Sequence, residues 1–449
     1  MNPNILDNKK LAINGGVSTR EEPFIASCYS SSNEKELLLE CLDSNNWSSF
    51  KGATEGWGIK EVGKMKSADA VKHGALDIRY LGGKYVRELE ANFAEKFNVQ
   101  YAVSSNSATS CLIMAIGALN LGPGDEVICP SMSFNATATS ILFFNSVPVF
   151  CEVKEDTFCL DPIDLEKKIT ERTKAIMVVH LGGNSADMNS IMKIAEKYNL
   201  KVIEDSAQAP GVTYNNQFVG SIGDVGIFSF TETKNITCGE GGMLITDDPN
   251  IAFKSRLIRN HGEGVAQDSW TDEELTNIIG MNFRLTELQA AVAIPQFHDL
   301  DNRNQIRKEN TLYLIDKLKN YSFLVQPKIE DGVDYLPYIL KWKYIPEQHM
   351  PNRDWVVKAL QAEGVPVSGG YGRLMYENPI FSRKIAFGDK GAPFTIPYYD
   401  GEVKYGTGTC PISEKINEQF IWFKFINPPN NLDDMDDIIT AFEKIFAKI

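Results

Sequence analysis

Residues 174–205 read KAIMVVHLGGNSADMNSIMKIAEKYNLKVIED, and their pattern is the strongest indication of the fold. Two short apolar runs, KAIMVVH and KVIED, enclose the segment MNSIMKIAEKYN, whose apolar residues recur at helical spacing. Short apolar runs rich in β-branched residues are typical of strands that are buried on both faces. Strand, helix and strand at this spacing form a βαβ unit, which predicts a parallel sheet with helices on its faces.

The same pattern continues on both sides of this unit. Further apolar runs bounded by turns are EVICP, VPVFCEV, DVGIFSF and GGMLITD, and helical segments are YVRELEANFAEKF and NSATSCLIMAIGALNL. Residues 285–318 are predicted to form a long helix that is broken near Pro295. We therefore predict an α/β protein with three parts, namely an N-terminal arm with an insertion (1–80), a large domain (81–300) and a small α+β C-terminal domain (301–449).

Composition and charge limit the class of function. The chain has 449 residues, 43% of them hydrophobic, and a formal net charge of −14. Such an acidic protein repels polyanions, so nucleic acid is not expected as a partner. No apolar stretch is long enough for a membrane helix, and the polar start MNPNILDNKK is unlike a signal peptide, so a cytoplasmic location is expected. The eight cysteines form no CxxC pair, and therefore predict neither a zinc site nor a disulfide framework.

Three segments carry residues that are suited to chemistry. Asp205 ends the apolar run KVIED, where a carboxylate either caps the next turn or meets a positive partner at a ligand site. Lys234 follows DVGIFSF and precedes a turn rich in glycine; it is either a solvated lysine or an amine that reacts with an aldehyde. The loop SSNSATSCL (104–112) runs into a helix, where hydroxyls and backbone amides either cap the helix or bind an anion.

The combination of these segments favours one cofactor. An anion seat, a carboxylate at a strand end and a lysine beside a glycine-rich turn are what pyridoxal 5'-phosphate (PLP) requires. The seat holds the phosphate, the carboxylate keeps the pyridine nitrogen protonated, and the lysine binds the cofactor aldehyde and moves protons.

Several longer motifs occur in a fixed order: GPGDEVICPSMSFNATA, VIEDSAQAPG, GDVGIFSFTETKNITCGEGGM, RNHGE and GMNFRLTELQAAVA. In these motifs the chain resembles the DegT/DnrJ/EryC1/StrS family of PLP-dependent sugar aminotransferases. The resemblance is strong from about residue 81 to 300 and looser beyond. It implies a large domain of the aspartate-aminotransferase type (PLP fold type I), with a mostly parallel seven-stranded sheet that binds the cofactor.

The resemblance also implies roles for individual residues. Lys234 is expected to be the Schiff-base lysine and Asp205 the partner of the pyridine nitrogen. The remaining cofactor contacts are expected from Gln208 to the ring hydroxyl, from Phe134 to the ring face, and from Thr109, Ser110 and Ser229 to the phosphate. Asn282 is expected to reach the phosphate bound by a neighbouring subunit, which implies a homodimer with shared active sites. His180, Glu240, Tyr371 and Arg373 are candidates for contacts with the substrate.

The implied reaction is a ping-pong transamination. L-glutamate or L-glutamine gives its amino group to the cofactor, which becomes pyridoxamine phosphate and then aminates a nucleotide-linked keto-sugar. The alternatives are a keto-inositol of the scyllo-inosose type as acceptor, or a PLP-binding protein of the same fold without catalysis. The chain departs from the family pattern at Glu232, where an aromatic residue or histidine is common nearby, and at residues 48–80. The second departure looks like an insertion near the substrate pocket.

Overall fold

The computed structural model of the chain describes residues 9–26, 32–50, 58–73 and 79–446. The strands are β1 (Tyr101–Ser105), β2 (Glu126–Pro130), β3 (Val147–Cys151), β4 (Thr173–Val179), β5 (Lys201–Asp205), β6 (Thr213–Tyr214), β7 (Gln217–Phe218), β8 (Val225–Ser229), β9 (Gly242–Thr246), β10 (Leu324–Val325), β11 (Val333–Asp334), β12 (Leu340–Tyr344), β13 (Ser368–Gly369) and β14 (Phe420–Phe423).

The α-helices are α1 (Ser32–Asp43), α2 (Ile59–Gly63), α3 (Ser67–Ala70), α4 (Lys84–Lys96), α5 (Ala108–Ala118), α6 (Ala136–Leu142), α7 (Pro162–Lys168), α8 (Met188–Tyr198), α9 (Pro249–Arg259), α10 (Asp272–Leu275), α11 (Glu287–His298), α12 (Leu300–Leu318), α13 (Arg353–Ala362), α14 (Pro379–Ser382), α15 (Pro411–Gln419) and α16 (Leu432–Phe446). Short 3₁₀ turns lie at Ala12–Asn14, Arg79–Leu81, Leu181–Gly183, Gly262–Gly264 and Met375–Glu377. Among these described helices, none is long and apolar enough to cross a membrane.

A seven-stranded sheet in the order β1-β9-β8-β5-β4-β2-β3 forms the centre of the molecule. Its strands are parallel except β9, which is antiparallel to both β1 and β8. The prediction of a mostly parallel seven-stranded α/β sheet is therefore confirmed. Six of its strands lie in the apolar runs named from the sequence. The seventh is β1, whose five residues are all buried but include two serines, which makes its apolar pattern weaker.

The sheet is covered by helices on both faces, because its strands are apolar on both sides. Helices α5 to α8 each connect two successive strands of this sheet, from β1 to β5, as expected for βαβ connections. The helical segment predicted between the two runs at 174–205 is α8, which Asp187 caps through a bond to the backbone N–H of Ser190. Helical segments are also confirmed at α4 and α5.

The break predicted near Pro295 is at a different position. Helix α11 runs through Pro295, and the chain turns at Asp299, before α12 begins. Pro295 is buried within α11, so the packing of this helix compensates for the backbone hydrogen bond that proline cannot donate. The backbone N–H of Asp299 still bonds to the carbonyl of Pro295, at 3.1 Å.

A second sheet, in the order β10-β12-β14-β13, lies in the C-terminal part. It packs with α12, α13 and α16 around a separate apolar cluster, which also contains Leu11 and Phe24 from the N-terminal part. By contrast, the segment from Leu374 to Phe420 contributes side chains to the cluster around the large sheet. The division into domains at residues 80 and 300 stays a proposal.

The described part of the predicted insertion is a small cap on α9. Ile59 and Val62 from α2 pack with Phe253 and Leu257 from α9. Arg256 of α9 donates a hydrogen bond to the carbonyl of Gly63, at 2.9 Å. Residues 51–57 and 74–78 of the insertion, and Cys28 near the N-terminus, lie outside the described residues.

Candidate active site

A cavity opens at the carboxyl ends of β5 and β8, which is where open α/β sheets bind ligands. Its volume is about 400 Å³, as expected for a small-molecule site. The predicted site residues that line it are Thr109, Phe134, Asp205, Gln208, Ser229, Lys234, Glu240 and Tyr371. The structure therefore gathers segments that are more than 200 residues apart in the chain, from 109 to 371, around one space.

One side of the cavity is the start of helix α5. Ser107 caps this helix, its hydroxyl accepting a hydrogen bond from the backbone N–H of Ser110 at 3.1 Å. Thr109, in the first turn of α5, and Ser229, at the end of β8, both line the cavity. Unpaired amides of a first helical turn, together with hydroxyl groups, form a site for an anion such as a phosphate.

The start of β9 lies directly against this helix end. A Cβ atom at Gly242 would be 2.6 Å from the backbone nitrogen of Ala108, so glycine is required there. Glycine residues, which have no Cβ atom, allow such a close approach of two backbone segments. The structure places that approach at Gly242, whereas Gly239 supplies a positive φ of 86° and has open space beside it.

Asp205 is buried at the end of β5, and both of its carboxylate oxygens accept hydrogen bonds. Thr137 donates to Oδ2 at 3.0 Å, and the backbone N–H of Ala207 donates to Oδ1 at 3.2 Å. Burial raises the pKa of Asp205, against these two hydrogen bonds and the positive charge of Lys234. A bound cation would therefore relieve a charge that the protein itself satisfies only in part.

His180 does not line the cavity, in contrast to its predicted contact with substrate. Its ring is fully buried behind β5, with Nε2 3.0 Å from Glu204 Oε2 and Nδ1 accepting from the backbone of Ala186 at 3.2 Å. Both ring nitrogens are thus engaged within the protein. Its burial and these two contacts support a structural role for His180.

Gln208 and Tyr371 form the floor of the cavity. The amide oxygen of Gln208 accepts from the backbone of Gly182 at 2.8 Å, and its Nε2 donates to the Tyr371 hydroxyl at 2.7 Å. The other N–H of the Gln208 amide takes no part in these two hydrogen bonds, and it is the one suited to donate to an oxygen of a ligand.

Lys234 projects into the cavity from a tight turn after β8. Its backbone N–H donates to the carbonyl of Thr231 at 3.0 Å, which closes the turn. The side chain is half-buried, and Nζ lies 4.4 Å from the centre of the Tyr338 ring. Lys234 is therefore an amine held beside an aromatic face and near a buried carboxylate, rather than a solvated surface lysine.

The mouth of the cavity is open at Phe134, whose side chain is 69% exposed. An exposed aromatic ring at a cavity is suited to stacking on a flat ligand. Glu240 is also exposed at the mouth. Glu232, the carboxylate that departs from the family pattern, is exposed and does not line the cavity.

Three further predicted contacts lie outside the cavity of the single chain. Ser110 is turned into the protein, its hydroxyl donating to Asn106 Oδ1 at 2.7 Å, because helical geometry directs it away from Thr109. Arg373 is exposed and does not line the cavity, and its contact with substrate stays a prediction. Asn282 is also exposed, next to the anion seat: its carbonyl accepts from Asn106 Nδ2 at 3.3 Å.

Tyr338 and Thr137 line or support the cavity but were not found from the sequence. Thr137 lies within the motif PSMSFNATA, in the helix α6 that follows the end of β2. Because the carboxyl ends of parallel strands lie at one edge of the sheet, this position was a signal for its bond to Asp205. Tyr338 lies in the run YLPYIL, over 100 residues from Lys234, and no local pattern connects the two. Only the packing of the C-terminal part against the large sheet brings it to the cavity.

The chemistry of this donor set fits pyridoxal phosphate. Helix α5 offers an anion seat, Asp205 is a buried carboxylate suited to a protonated ring nitrogen, and Lys234 is an amine suited to an aldehyde. Phe134 offers a face for the ring. Fold and site together define a PLP-dependent aminotransferase of fold type I.

Residues 64–443 match the DegT/DnrJ/EryC1/StrS aminotransferase family, and the chain belongs to this family. An L-glutamine:2-deoxy-scyllo-inosose aminotransferase of Streptomyces lividus is 31% identical over 448 residues, which are 97% of each chain. A GDP-perosamine synthase of Caulobacter vibrioides is 38% identical over 336 residues, which are 74% of this chain and 80% of that protein.

Solved structures share the same fold. The aminotransferase from Psychrobacter cryohalolentis superposes with a TM-score of 0.75 at 26% identity, covering 95% of this chain and 100% of that one. The expectation of an aspartate-aminotransferase-like fold is confirmed, as are the expected family, the class of enzyme and the cofactor.

Proposed function

We propose that this enzyme transfers an amino group from L-glutamate or L-glutamine to the ketone of a nucleotide-linked sugar. The observation that carries the proposal is the meeting of Lys234, Asp205 and the start of helix α5 at one cavity. The bound cofactor supplies an aldehyde that exchanges amines and a ring that accepts electrons from the carbon being deprotonated. The family relationship and the perosamine-forming relative support a sugar as acceptor.

The side chains have separate tasks in this proposal. Thr109 and Ser229 bind the phosphate with the first-turn amides of α5, which fixes the cofactor in the cavity. Asp205, held by Thr137, keeps the ring nitrogen protonated, and Gln208 turns its remaining amide N–H toward the ring hydroxyl. Lys234 acts as a positioned general base that removes a proton from the α-carbon of the donor. In the second half of the reaction it delivers a proton to the carbon that was the ketone of the acceptor.

A second acceptor, a keto-inositol, is favoured by one observation. Among the described residues that line the cavity, Lys234 is the one cationic side chain, and most of the others are hydroxyl, phenol or amide groups. A diphosphate favours Arg or Lys, whereas a neutral polyol needs hydroxyl and amide partners. Two basic residues of helix α4, Lys84 and Arg87, do not line the cavity either. Lys84 is exposed and pairs with Glu40, whereas Arg87 is buried and donates a hydrogen bond to the carbonyl of Gly82. The relative from Streptomyces lividus matches along nearly the full chain.

The active unit in this proposal is a homodimer in the cytoplasm. Asn282 is exposed next to the anion seat of its own chain, which supports a contact with the site of a second subunit. Residues 48–80 are proposed to border the substrate pocket in that dimer. Each of the seven described cysteines is a free thiol, which is typical of a reducing compartment.

An absorbance spectrum tests the central assignment. Wild-type protein, Lys234→Ala and the control Lys193→Ala, an exposed lysine on α8, are purified with PLP and treated with borohydride. We expect a visible band and cofactor retained after denaturation in the wild type and the control, but not in Lys234→Ala. Cofactor fixed by borohydride in Lys234→Ala, or no cofactor in the wild type, would contradict the assignment.

Turnover separates the enzyme from a binding protein without catalysis. L-glutamine or L-glutamate is added until the visible band is lost, and candidate keto-sugars or keto-inositols are then added separately. Return of the band with one class of ketone identifies the acceptor. A band that no amino acid changes would contradict the proposed transamination and favour a protein that only binds the cofactor.

A further inference from the structure

Tyr338 lies in the loop before β12 and reaches the cavity from the C-terminal part of the chain. Its backbone is held at both ends, because its N–H donates to the carbonyl of Gly182 at 3.1 Å and its carbonyl accepts from Arg307 Nη1 at 3.3 Å. These bonds join it to the 3₁₀ turn that follows β4 and to α12. The position of the side chain is therefore fixed by the packing of the two parts of the molecule.

The face of the Tyr338 ring is directed at the amine of Lys234. The distance from Nζ to the ring centre is 4.4 Å, well within the range of a cation–π interaction. The ring face carries partial negative charge and attracts the ammonium form more than the neutral amine. An aromatic face at this place therefore affects how much of the amine is available to react.

The hydroxyl of Tyr338 is bonded to the turn that carries Lys234. It lies 3.1 Å from Oγ1 of Thr233, the residue immediately before the lysine. The same turn is closed by the bond from Lys234 to Thr231. Tyr338 thus contacts the amine with its ring and restrains the backbone behind that amine with its hydroxyl.

The charges around this pair are consistent with the contact. Burial would raise the pKa of Tyr338, but the charge of Lys234, the bond from Thr233, and the charges of Arg307 and Lys424 outweigh it, and the pKa is lowered. The positive charge of Lys234 therefore favours the ionised form of the Tyr338 phenol.

The other titratable groups that face Lys234 in the cavity are Asp205, Glu240 and Tyr371. These groups are the same in wild type and in any variant of Tyr338.

We propose that Tyr338 is a further catalytic residue of this site, whose ring receives the ammonium form of Lys234 and whose hydroxyl holds the lysine turn in place. Tyr338 thereby sets the fraction of the amine that is ready to attack a carbonyl. This rests on the proposed role of Lys234, but it concerns the free amine and is open to measurement without cofactor.

The experiment is reductive methylation of cofactor-free protein with formaldehyde and cyanoborohydride, followed by peptide mass spectrometry. The rate at Lys234 is divided by the rate at exposed Lys193 in the same sample. At pH 7.5 we expect this ratio to rise roughly 2- to 30-fold in Tyr338→Leu, the range of cation–π energies converted to a rate. Tyr338→Phe retains the ring and is expected to stay within about 2-fold of the wild type.

A pH control separates charge from access. The excess of Tyr338→Leu over Tyr338→Phe should shrink as the pH is raised from 7.5 to about 10.5, because the ring acts on the ammonium form of an amine and neither variant has an ionisable hydroxyl at residue 338. Circular dichroism at both pH values checks the fold, and Tyr338→Met replaces Tyr338→Leu if the latter does not fold. A ratio unchanged at pH 7.5, an equal rise in Tyr338→Phe, or an excess of Tyr338→Leu over Tyr338→Phe that is no smaller at about pH 10.5 would overturn the proposal. Borohydride fixation to Lys234 tests the proposed function independently of these results.

Discussion

The Nε2 atom of Gln208 donates a 2.7 Å hydrogen bond to the hydroxyl of Tyr371, and this bond joins the two sheets at the floor of the cavity. Gln208 follows β5 of the large sheet, whereas Tyr371 follows β13 of the C-terminal sheet. The backbone of Tyr371 is itself held by Asn417 Oδ1 at 2.7 Å. Gln208, the proposed contact to the cofactor hydroxyl, is therefore positioned by the C-terminal part of the chain through Tyr371.

Replacing Tyr371 by phenylalanine leaves a buried amide donor of Gln208 without this partner. We expect the free energy of unfolding to fall by about 1–3 kcal/mol, measured in urea. Tyr399→Phe is the matched control, because Tyr399 is buried and its hydroxyl bonds to Glu126 at 3.0 Å, far from the cavity. Both variants should lose stability, but only Tyr371→Phe should also weaken binding of PLP. Equal PLP binding in the two variants would argue against a role for Tyr371 in the site.

Thr109 and Ser110 are expected to differ in their contribution to PLP affinity. Thr109 lines the cavity, and a hydrogen bond to a charged phosphate contributes about 1.5–3 kcal/mol, so Thr109→Val should weaken PLP binding roughly 10- to 100-fold. Ser110→Ala breaks the bond to Asn106 and should instead lower stability by about 1 kcal/mol with little change in PLP affinity. Equilibrium dialysis and thermal unfolding measure the two quantities. The reverse order of affinities would place the phosphate elsewhere.

Asp205 has opposite effects on stability and on PLP binding. Its pKa is raised in the folded protein, mainly by burial, so the folded state favours the protonated form. The stability that this provides is complete below the ordinary Asp pKa of about 3.9 and is lost as the pH rises through the raised value. The unfolding free energy of cofactor-free Asp205→Asn, minus that of the wild type, should therefore increase from pH 4 upward and then become constant. The same variant should lose most of the stabilisation by PLP at pH 7.5, and a pH-independent difference in the cofactor-free proteins would contradict this account.

Lys341 is a buried lysine on β12 that makes stability depend on pH in the alkaline range. Nζ donates to the carbonyl of Leu181 at 2.6 Å, and burial lowers the pKa of Lys341 from 10.5 to about 8. Between these values the unfolded chain holds a proton that the folded protein does not, so Lys341 makes the protein more stable as the pH rises. In Lys341→Met this contribution is absent, and the stability advantage of the wild type over the variant should grow between pH 8 and 10. Urea unfolding at a series of pH values measures it, and a constant difference would show that Lys341 stays charged when buried.

The parts of the site that were predictable from sequence are those at strand ends. Asp205 ends one apolar run and Lys234 comes shortly after another, so the rule that strand ends form ligand sites applies to them without knowledge of the tertiary structure. Tyr338 and Tyr371 were harder to place, because their position depends on how the C-terminal sheet packs onto the large one. Ser110 shows a different limit, since two neighbouring hydroxyls of a helix point in different directions.

The fold was predictable for a related reason. Strands that are buried on both faces are continuously apolar, and this pattern is local. Strand β1 has two serines in its five residues, and its place beside β9 depends on pairing with residues more than 130 positions later. Pro295 lies within α11 although proline usually ends a helix, because burial of the surrounding turns stabilises the helix on both sides.

The contact of Gly242 with the start of α5 has a consequence for how this sequence is able to vary. β9 is the antiparallel strand of the large sheet, and its pairing places Gly242 opposite both Ser105 and Ser229. A shift of β9 by one residue that placed Met243 at the position of Gly242 would bring a side chain against the backbone of Ala108. The register of β9 and the geometry at the start of α5 are therefore coupled through Gly242.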